Sequence, residues 1–216
     1  MEGSSNILYQ GGQGEIVEKK SRFIATIFPV KTEEEALSKI AEVKKKYYDA
    51  RHNCFAYILG EKRETERCSD DGEPSGTAGR PMLDVLGGMG LYDVVAVVTR
   101  YFGGTLLGTG GLVRAYSAAM KEGLSHCMIL KGEKGFRLQI RTDYNEIGKL
   151  QYLARTQNLH ELSCEYGDAV VMQLLVPEDE IGHVETEITE KTSGKAELER
   201  LEKLRYGFHE KEVILL

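Results

Sequence analysis

The sequence has little cysteine and no long apolar run, and both shortages narrow the class of protein. Its four cysteines form no CxxC pair, and their spacing fits neither a disulfide framework nor a structural zinc site. Reduced thiols in a cytosolic protein are the simplest interpretation. No apolar stretch approaches the roughly 20 residues that span a bilayer, and residues 1–5 lack the basic and apolar regions of a signal peptide. We therefore expect a soluble, cytoplasmic protein with no membrane partner.

The chain also lacks an excess of positive charge. Its 28 Lys and Arg residues are outnumbered by 34 Asp and Glu residues, which gives a net charge of −6. Residues 1–133 carry 17 basic and 18 acidic side chains, whereas residues 134–216 carry 11 and 16. Bulk charge therefore does not indicate a nucleic-acid-binding protein, and no DNA partner is expected. Any binding of RNA requires a local basic patch, which we expect on the first domain.

Apolar periodicity predicts mixed strands and helices in the first part of the chain. Thr32 and Glu35 form a capping box at the start of a helix, and the apolar β-branched run 94–98 predicts a strand buried on both faces. The other predicted elements are a strand or hairpin in 15–30, a strand at 53–59, a long loop at 60–80, a short helix from Pro81 to about Gly87 and a helix at 111–124.

The pattern changes after the segment 131–135, which its glycines and charges predict to be a linker. Asp143 and Glu146 are predicted to cap one helix, and Pro177 to open a second. Residues 196–206 have leucines at helical spacing, but topology favours a strand there. With that strand the order is β-α-β-β-α-β, which is the ferredoxin-like arrangement. We predict an α+β fold with domains at 1–133 and 134–216.

Three carboxylates cluster in an acidic, glycine-containing segment at 69–81. Asp70, Asp71 and Glu73 are suited to binding a divalent cation or to general acid–base chemistry. The alternative is a polar loop whose side chains accept hydrogen bonds from backbone amides. Spacing alone favours the polar loop.

Five glycines lie between the buried strand and the following helix, in the segment 99–114. Unpaired N–H groups at a helix N-terminus attract anions, and Arg100 and Arg114 are placed to add phosphate contacts. The segment has neither the spacing of a Walker A loop nor that of a dinucleotide fingerprint. An anion site and close helix–strand packing that only glycine permits both remain open.

His52 and Cys54 face the same side of a predicted strand. Two such residues without further ligands are weak support for zinc, and a hydrogen-bonded structural histidine fits better. No metal is expected.

Taken together, these segments resemble the YigZ/IMPACT family over about residues 15–125. The resemblance rests on Ser21-Arg22-Phe23, on His52-x-Cys54-x-Ala56, on the run Asp70-Asp71-Gly72-Glu73-Pro74-x-Gly76-Thr77-Ala78-Gly79, and on Arg100-Tyr101-Phe102-Gly103-Gly104 with Gly110-Gly111-Leu112-x-Arg114. Many members have a basic residue where this chain has Leu106.

The resemblance implies a first domain similar to the C-terminal domain of ribosomal protein S five. It implies a second domain similar to the ferredoxin-like domain of elongation factor G. Both folds are used on RNA or the ribosome. Eukaryotic members named IMPACT regulate translation through an additional N-terminal domain that is not part of this sequence, so that role is not transferred. No catalytic reaction is carried over from the bacterial members.

The resulting hypothesis is a non-catalytic, translation-associated regulator that binds structured RNA, the ribosome or a ribosomal partner through its first domain. The alternatives are an enzyme or binding protein for a phosphorylated small molecule or nucleotide, and an adaptor that binds only proteins. No catalytic residue, cofactor or metal is assigned. Anion or nucleic-acid binding is assigned to Arg80, Arg100, Gly103, Gly104, Gly108, Gly110, Gly111 and Arg114. The family-motif surface is assigned to His52, Asp70, Asp71, Gly72, Glu73, Pro74, Gly76, Thr77, Ala78, Gly79, Tyr101 and Phe102.

Overall fold

The structure is a computed structural model that describes residues 5–209 and 212–216. The chain divides into two compact units, Met1–Lys131 and Gly132–Leu216, each with its own apolar core. This is a mixed α+β architecture in two domains. Within the described residues, no helix is long and apolar enough to cross a membrane.

From residue 5 onward, the first unit contains seven strands and three helices, and an eighth strand begins at its end. In chain order they are β1 (Ser5–Gln10), β2 (Gly12–Glu18), β3 (Ser21–Pro29), α1 (Glu33–Lys46), β4 (His52–Leu59), β5 (Thr65–Ser69), α2 (Gly79–Gly88), β6 (Leu91–Tyr92), β7 (Val94–Tyr101), α3 (Thr109–Ser125) and the start of β8 (Met128–Thr142). The boundary between the units falls inside β8.

Five strands of this unit form one antiparallel sheet in the order β2-β3-β7-β4-β5. Ala96 and Val98 of central β7 pack in the core that contains α2 and α3, whereas Val95 and Val97 pack with α1. Helices therefore cover both faces of β7, which explains its continuous apolar sequence and confirms the prediction of a strand buried on both sides.

The predicted capping box at α1 is confirmed. Thr32 Oγ1 accepts a hydrogen bond from the Glu35 amide at 3.2 Å, and the Glu35 carboxylate accepts one from the Lys31 amide at 2.7 Å. Three glutamates in the first turn and three lysines in the last complement the helix dipole. The cap fixes the start of α1 at Glu33, and the charges at both ends stabilise the helix.

The second unit follows the predicted β-α-β-β-α-β order. Its elements after the start of β8 are α4 (Ile147–Thr156), β9 (His160–Tyr166), β10 (Val170–Pro177), α5 (Ile181–Lys191), β11 (Glu197–His209) and an additional β12 (Glu212–Leu215). The strand order is β9-β10-β8-β11-β12, with every neighbouring pair antiparallel. The buried apolar side chains of α4 and α5 pack together against one face of this sheet.

Three sequence predictions of secondary structure were wrong. The predicted loop 60–80 contains β5, a polar edge strand whose outer side has no partner in its sheet and so shows no apolar alternation. The predicted linker 131–135 is part of β8, because pairing with β10 and β11 extends the strand through its glycines. Pro177 ends β10 instead of opening α5. The strand that topology favours at 196–206 is confirmed, because residues 197–206 lie in β11 beside β8 despite their leucines at helical spacing.

Candidate functional site

All the family-motif segments meet at one end of the five-stranded sheet. Strands β3 and β4 begin there and β7 ends there, since Arg22 lies opposite Tyr101 and His52 lies opposite Arg100. The acidic loop 70–78 follows the end of β5 at the same place. We call this region, formed by residues 18–22, 44–52, 70–80 and 100–114, the loop end.

The glycine at 103 is required by its close approach to the β2–β3 turn. A Cβ atom on Gly103 would lie 2.0 Å from the Lys20 carbonyl carbon, and the Gly103 amide donates to Ser21 Oγ at 3.1 Å. The turn itself consists of Lys19 and Lys20, both with positive φ, as in a two-residue hairpin of the primed type. The Ser21 and Gly103 motifs are therefore two halves of one contact.

Asp70 holds the acidic loop and the start of α2 together. Its Oδ1 accepts hydrogen bonds from the Ala78 and Gly79 amides, both at 2.9 Å, and its Oδ2 accepts one from the Gly76 amide at 2.8 Å. Burial favours the neutral acid, but these three amides outweigh it and lower the pKa of Asp70. Asp70 thus acts as a cap for α2, as in the polar-loop interpretation.

Asp71 and His52 tie the same loop to α1 and β4. The Asp71 carboxylate accepts from Lys44 Nζ at 2.8 Å and from the Asn53 amide at 2.7 Å. Burial opposes ionisation, yet the Lys44 and Asn53 contacts lower the pKa of Asp71. His52 Nδ1 lies 2.9 Å from the Asp71 carbonyl oxygen, to which it donates because a carbonyl only accepts. His52 is therefore a hydrogen-bonded histidine whose Nε2 is not used in this contact.

Glu73 reaches into the core and forms a buried polar network with three motifs. Its Oε1 accepts from Arg100 Nη1 at 2.6 Å and from Tyr116 Oη at 2.8 Å. The Cys54 thiol lies 3.3 Å from Tyr116 Oη and 2.9 Å from the Asp70 carbonyl oxygen. Burial raises the pKa of Cys54 to about 12 and also raises the pKa of Tyr116. A thiol with so high a pKa is not a nucleophile at neutral pH.

The remaining residues of the acidic loop shape its backbone. Gly72 and Gly76 have positive φ, and Thr77 Oγ1 donates to the Pro74 carbonyl oxygen at 2.6 Å. Gly79 packs directly on the backbone of Ser69. This half of the predicted motif surface therefore consists of residues that fold the loop.

The exposed part of the loop end lies on the glycine-rich segment. Phe102 is 49% exposed and Leu106 is 82% exposed. Helix α3 begins after Gly108, which has positive φ and no side chain to cap the helix. Arg114 is exposed, and its Nη1 lies 3.7 Å from the position of a Cβ atom on Gly110. The start of α3 thus differs from that of α2, whose amides Asp70 occupies.

The three predicted arginines occupy different environments. Arg80 is exposed and pairs with Asp84 at 2.9 Å, one turn along α2. Arg100 is buried with Glu73, so it is not on the exposed face of the glycine-rich segment. Arg114 alone of the three combines exposure with the lack of an ion-pair partner among the described residues.

Sequence reasoning missed most of the basic side chains around this end. The segments of the loop end contain ten Lys and Arg residues against five Asp and Glu residues, although residues 1–133 as a whole are nearly neutral. Five of the ten are exposed and have neither an ion pair nor a side-chain hydrogen bond in the described part of the chain. We call these the basic rim: Lys19, Lys20, Lys45, Arg51 and Arg114. No sequence motif joins them, because they lie on three separate segments of the chain that meet at the loop end.

The carboxylates do not form a metal site. Asp70, Asp71 and Glu73 each direct oxygens to different partners inside the protein. Within residues 5–209 and 212–216, no group of three or more His, Cys, Asp and Glu side chains is placed to hold a metal ion. The geometry therefore supports a binding surface rich in basic side chains, on a frame in which the acidic loop is hydrogen-bonded to its neighbours.

Comparisons with known proteins place the chain among relatives that share both units. The sequence profile of the Impact N-terminal domain matches residues 19–124, and that of a domain of unknown function (DUF1949) matches residues 140–195. The IMPACT family member YvyE of Bacillus subtilis (strain 168) is 41% identical over 189 residues, which cover 88% of this chain and 87% of that protein. The IMPACT family member YigZ of Escherichia coli (strain K12) is 31% identical over 186 residues, covering 85% and 91%.

Two further matches define how far the likeness extends. Protein IMPACT of Bos taurus is 38% identical over 99 residues, which cover 43% of this chain and 30% of that protein. A crystal structure of a hypothetical protein has a TM-score of 0.56 and 30% identity, and the match covers 94% of this chain and 99% of that one. The likeness to bacterial relatives therefore spans both units, whereas that to the bovine protein covers less than half of the chain.

Proposed function

Because this chain belongs to the IMPACT family, we propose that it is a non-catalytic, translation-associated regulator that binds RNA or the ribosome through the loop end. The basic rim carries this proposal. Its five exposed cations lie on segments that meet at the same end of the sheet as the start of α3, where unpaired N–H groups favour anions. Phosphate contacts of this kind supply most of the affinity of sequence-independent nucleic-acid binding.

The apolar side chains beside the rim support the same function. Phe102 and Leu106 project from the glycine-rich segment with 49% and 82% of their surface exposed. An exposed aromatic ring next to cations provides a stacking platform for an unpaired base, as in proteins that bind single-stranded RNA. The likeness to ribosomal protein S five and elongation factor G that the family implies is a further support, because both folds work on RNA.

The second unit has a different role in this proposal. Residues 134–216 carry five more acidic than basic side chains. An acidic surface repels the phosphate backbone, so we expect this unit to make few RNA contacts and to leave affinity to the first unit.

The test is co-sedimentation of the purified protein with ribosomes and isolated subunits, using charge-matched variants. The rim variant is Lys20→Gln/Arg51→Gln/Arg114→Gln. The control variant, Lys31→Gln/Lys62→Gln/Lys121→Gln, removes the same charge from exposed positions outside the loop end. We expect the rim variant to bind more weakly than the wild type and the control to bind as the wild type does. Equal binding by both variants, or none by the wild type, would contradict the proposal.

A second candidate function is binding of a phosphorylated small molecule or nucleotide at the glycine-rich segment. The observation that favours it is the uncapped start of α3 beside Arg114, in contrast to the start of α2. A ligand that binds only the folded state raises the unfolding temperature. Stabilisation by a nucleotide with Mg²⁺, absent in Arg114→Gln, supports this function, and no stabilisation by any nucleotide counts against it.

A further inference from the structure

Arg100 is a buried cation with unused hydrogen-bond donors. Its side chain is 7% exposed, and it has one charge-assisted hydrogen bond, from Nη1 to Glu73 Oε1 at 2.6 Å. Its Nε is buried and has no hydrogen-bond partner among the described residues. Buried donors of native proteins nearly always have a partner, so an orphaned guanidinium nitrogen requires an explanation.

The unused donor lies on the Nε–Nη2 edge of the guanidinium group, which can bind an oxyanion through two parallel N–H groups. In this chain, Arg22 presents that edge to Glu15, with Nε–Oε1 at 2.7 Å and Nη2–Oε2 at 3.0 Å. Arg200 presents the same two nitrogens to Glu185. Arg100 contacts Glu73 through Nη1 instead, which leaves the Nε edge without a carboxylate. Two parallel N–H groups match two oxygens of a phosphate or carboxylate.

The surroundings of this edge are suited to holding a small anion. The Arg100 guanidinium carbon lies 5.3 Å from the centre of the Phe23 ring and 5.6 Å from that of Phe102. Apolar walls lower the local dielectric constant and strengthen a charge-assisted hydrogen bond. His52 lies directly opposite Arg100 on β4 and therefore on the same face of the sheet. Its Nδ1 is engaged by Asp71, so its Nε2 is the nitrogen left for a ligand.

We propose that the Nε edge of Arg100 is a binding site for a phosphate group, which enters past the half-exposed ring of Phe102. Two Arg100 donors hold two phosphate oxygens, and His52 Nε2 accepts the proton of a third. The basic rim raises the local concentration of anions, most for those of higher charge, and this favours phosphate over a carboxylate. The proposal does not depend on RNA binding, because free inorganic phosphate fits the same donors.

The test observes Arg100 Nε directly by NMR of ¹⁵N-labelled protein. Arginine side-chain Nε–H signals are recorded while inorganic phosphate is added, with KCl keeping the ionic strength constant. Loss of one signal in Arg100→Lys assigns Arg100. We expect the Arg100 signal to shift and saturate, while those of Arg22 and Arg200, already bound to glutamates, stay in place. An unmoved Arg100 signal, or an equal shift of all arginine signals, would overturn the proposal.

Two further arms define the ligand and its route. Acetate at the same ionic strength should bind at least about tenfold more weakly, and equal affinity for acetate would overturn the assignment to phosphate. In Phe102→Ala, exchange of the Arg100 Nε proton with water should be faster, because the ring that covers it is gone. An unchanged exchange rate would refute the entry route. Because the rim is intact in these experiments, their failure is distinct from a failure of RNA binding.

Discussion

The ion pair between Glu73 and Arg100 is the contact whose loss should disturb the first unit most. Both side chains are almost fully buried, with exposures of 3% and 7%. Replacing Glu73 by Ala leaves the Arg100 charge buried without a partner, which typically costs about 3–5 kcal/mol. With a urea m-value of about 2 kcal/mol/M, a loss of about 4 kcal/mol lowers the unfolding midpoint by about 2 M.

The assay must report on the first unit alone, because the chain folds into two units. Cys54 serves as the probe in a background of Cys68→Ser, Cys127→Ser and Cys164→Ser. This thiol is fully buried and has a pKa of about 12, so it reacts only when the first unit opens. The extent of alkylation against urea concentration then gives the free energy of unfolding of that unit.

The comparison that decides the matter is a double-mutant cycle. Arg100→Ala leaves Glu73 unpaired and should cost a similar amount, whereas the double variant buries neither charge. We therefore expect a coupling energy of at least about 2 kcal/mol between the two sites. Costs that add to within about 0.5 kcal/mol would refute the view that this pair joins the two motifs.

Three further predictions concern single positions at the loop end and at α1. Asp70→Asn should lower the free energy of unfolding by about 1 kcal/mol at neutral pH. The folded-state pKa of Asp70 lies below its ordinary 3.8, so this difference should vanish as pH falls through that lower value. A difference in urea midpoints that does not depend on pH would contradict this prediction. Gly103→Ala should lower the free energy of unfolding more than Gly104→Ala. The new Cβ atom at 103 would lie 2.0 Å from the Lys20 carbonyl carbon, whereas the one at 104 meets no neighbour and carries only the penalty of a positive φ. Equal unfolding midpoints would argue against the contact with Lys20. Thr32→Ala should lower the free energy of unfolding by about 1 kcal/mol, because the helix loses its cap. Thr32→Ser keeps the hydroxyl and should have the urea midpoint of the wild type.

Local patterns in the sequence predicted the elements with strong periodicity or caps. The capping box at Thr32 and the apolar run at 94–98 each fix a helix or strand by interactions within a few residues. The strand at 65–69 was not predictable in this way, because its pairing with β4 depends on backbone hydrogen bonds and its side chains are polar. For the same reason, the sequence of residues 131–135 in β8 predicts a linker.

The candidate site was also predictable only in part. Sequence motifs indicated which segments matter, but not that Arg100 is buried while Lys19, Lys20 and Arg51 are exposed. Burial of Arg100 depends on a carboxylate 27 residues earlier in the chain and on a tyrosine of α3. The basic rim depends on strand register, which brings a hairpin turn, the end of α1, the loop before β4 and the start of α3 to one end of the sheet. Neither relation has a short-range signal.

The salt dependence of ribosome binding tests the central claim most directly. The dissociation constant is measured for the wild type, the rim variant and the charge-matched control over a series of KCl concentrations. Each lost phosphate contact reduces the slope of log K against log salt concentration by about 0.7–0.9. We predict a slope smaller by about 2 in the rim variant and unchanged in the control. Identical slopes in all three proteins would contradict the assignment of binding to the loop end.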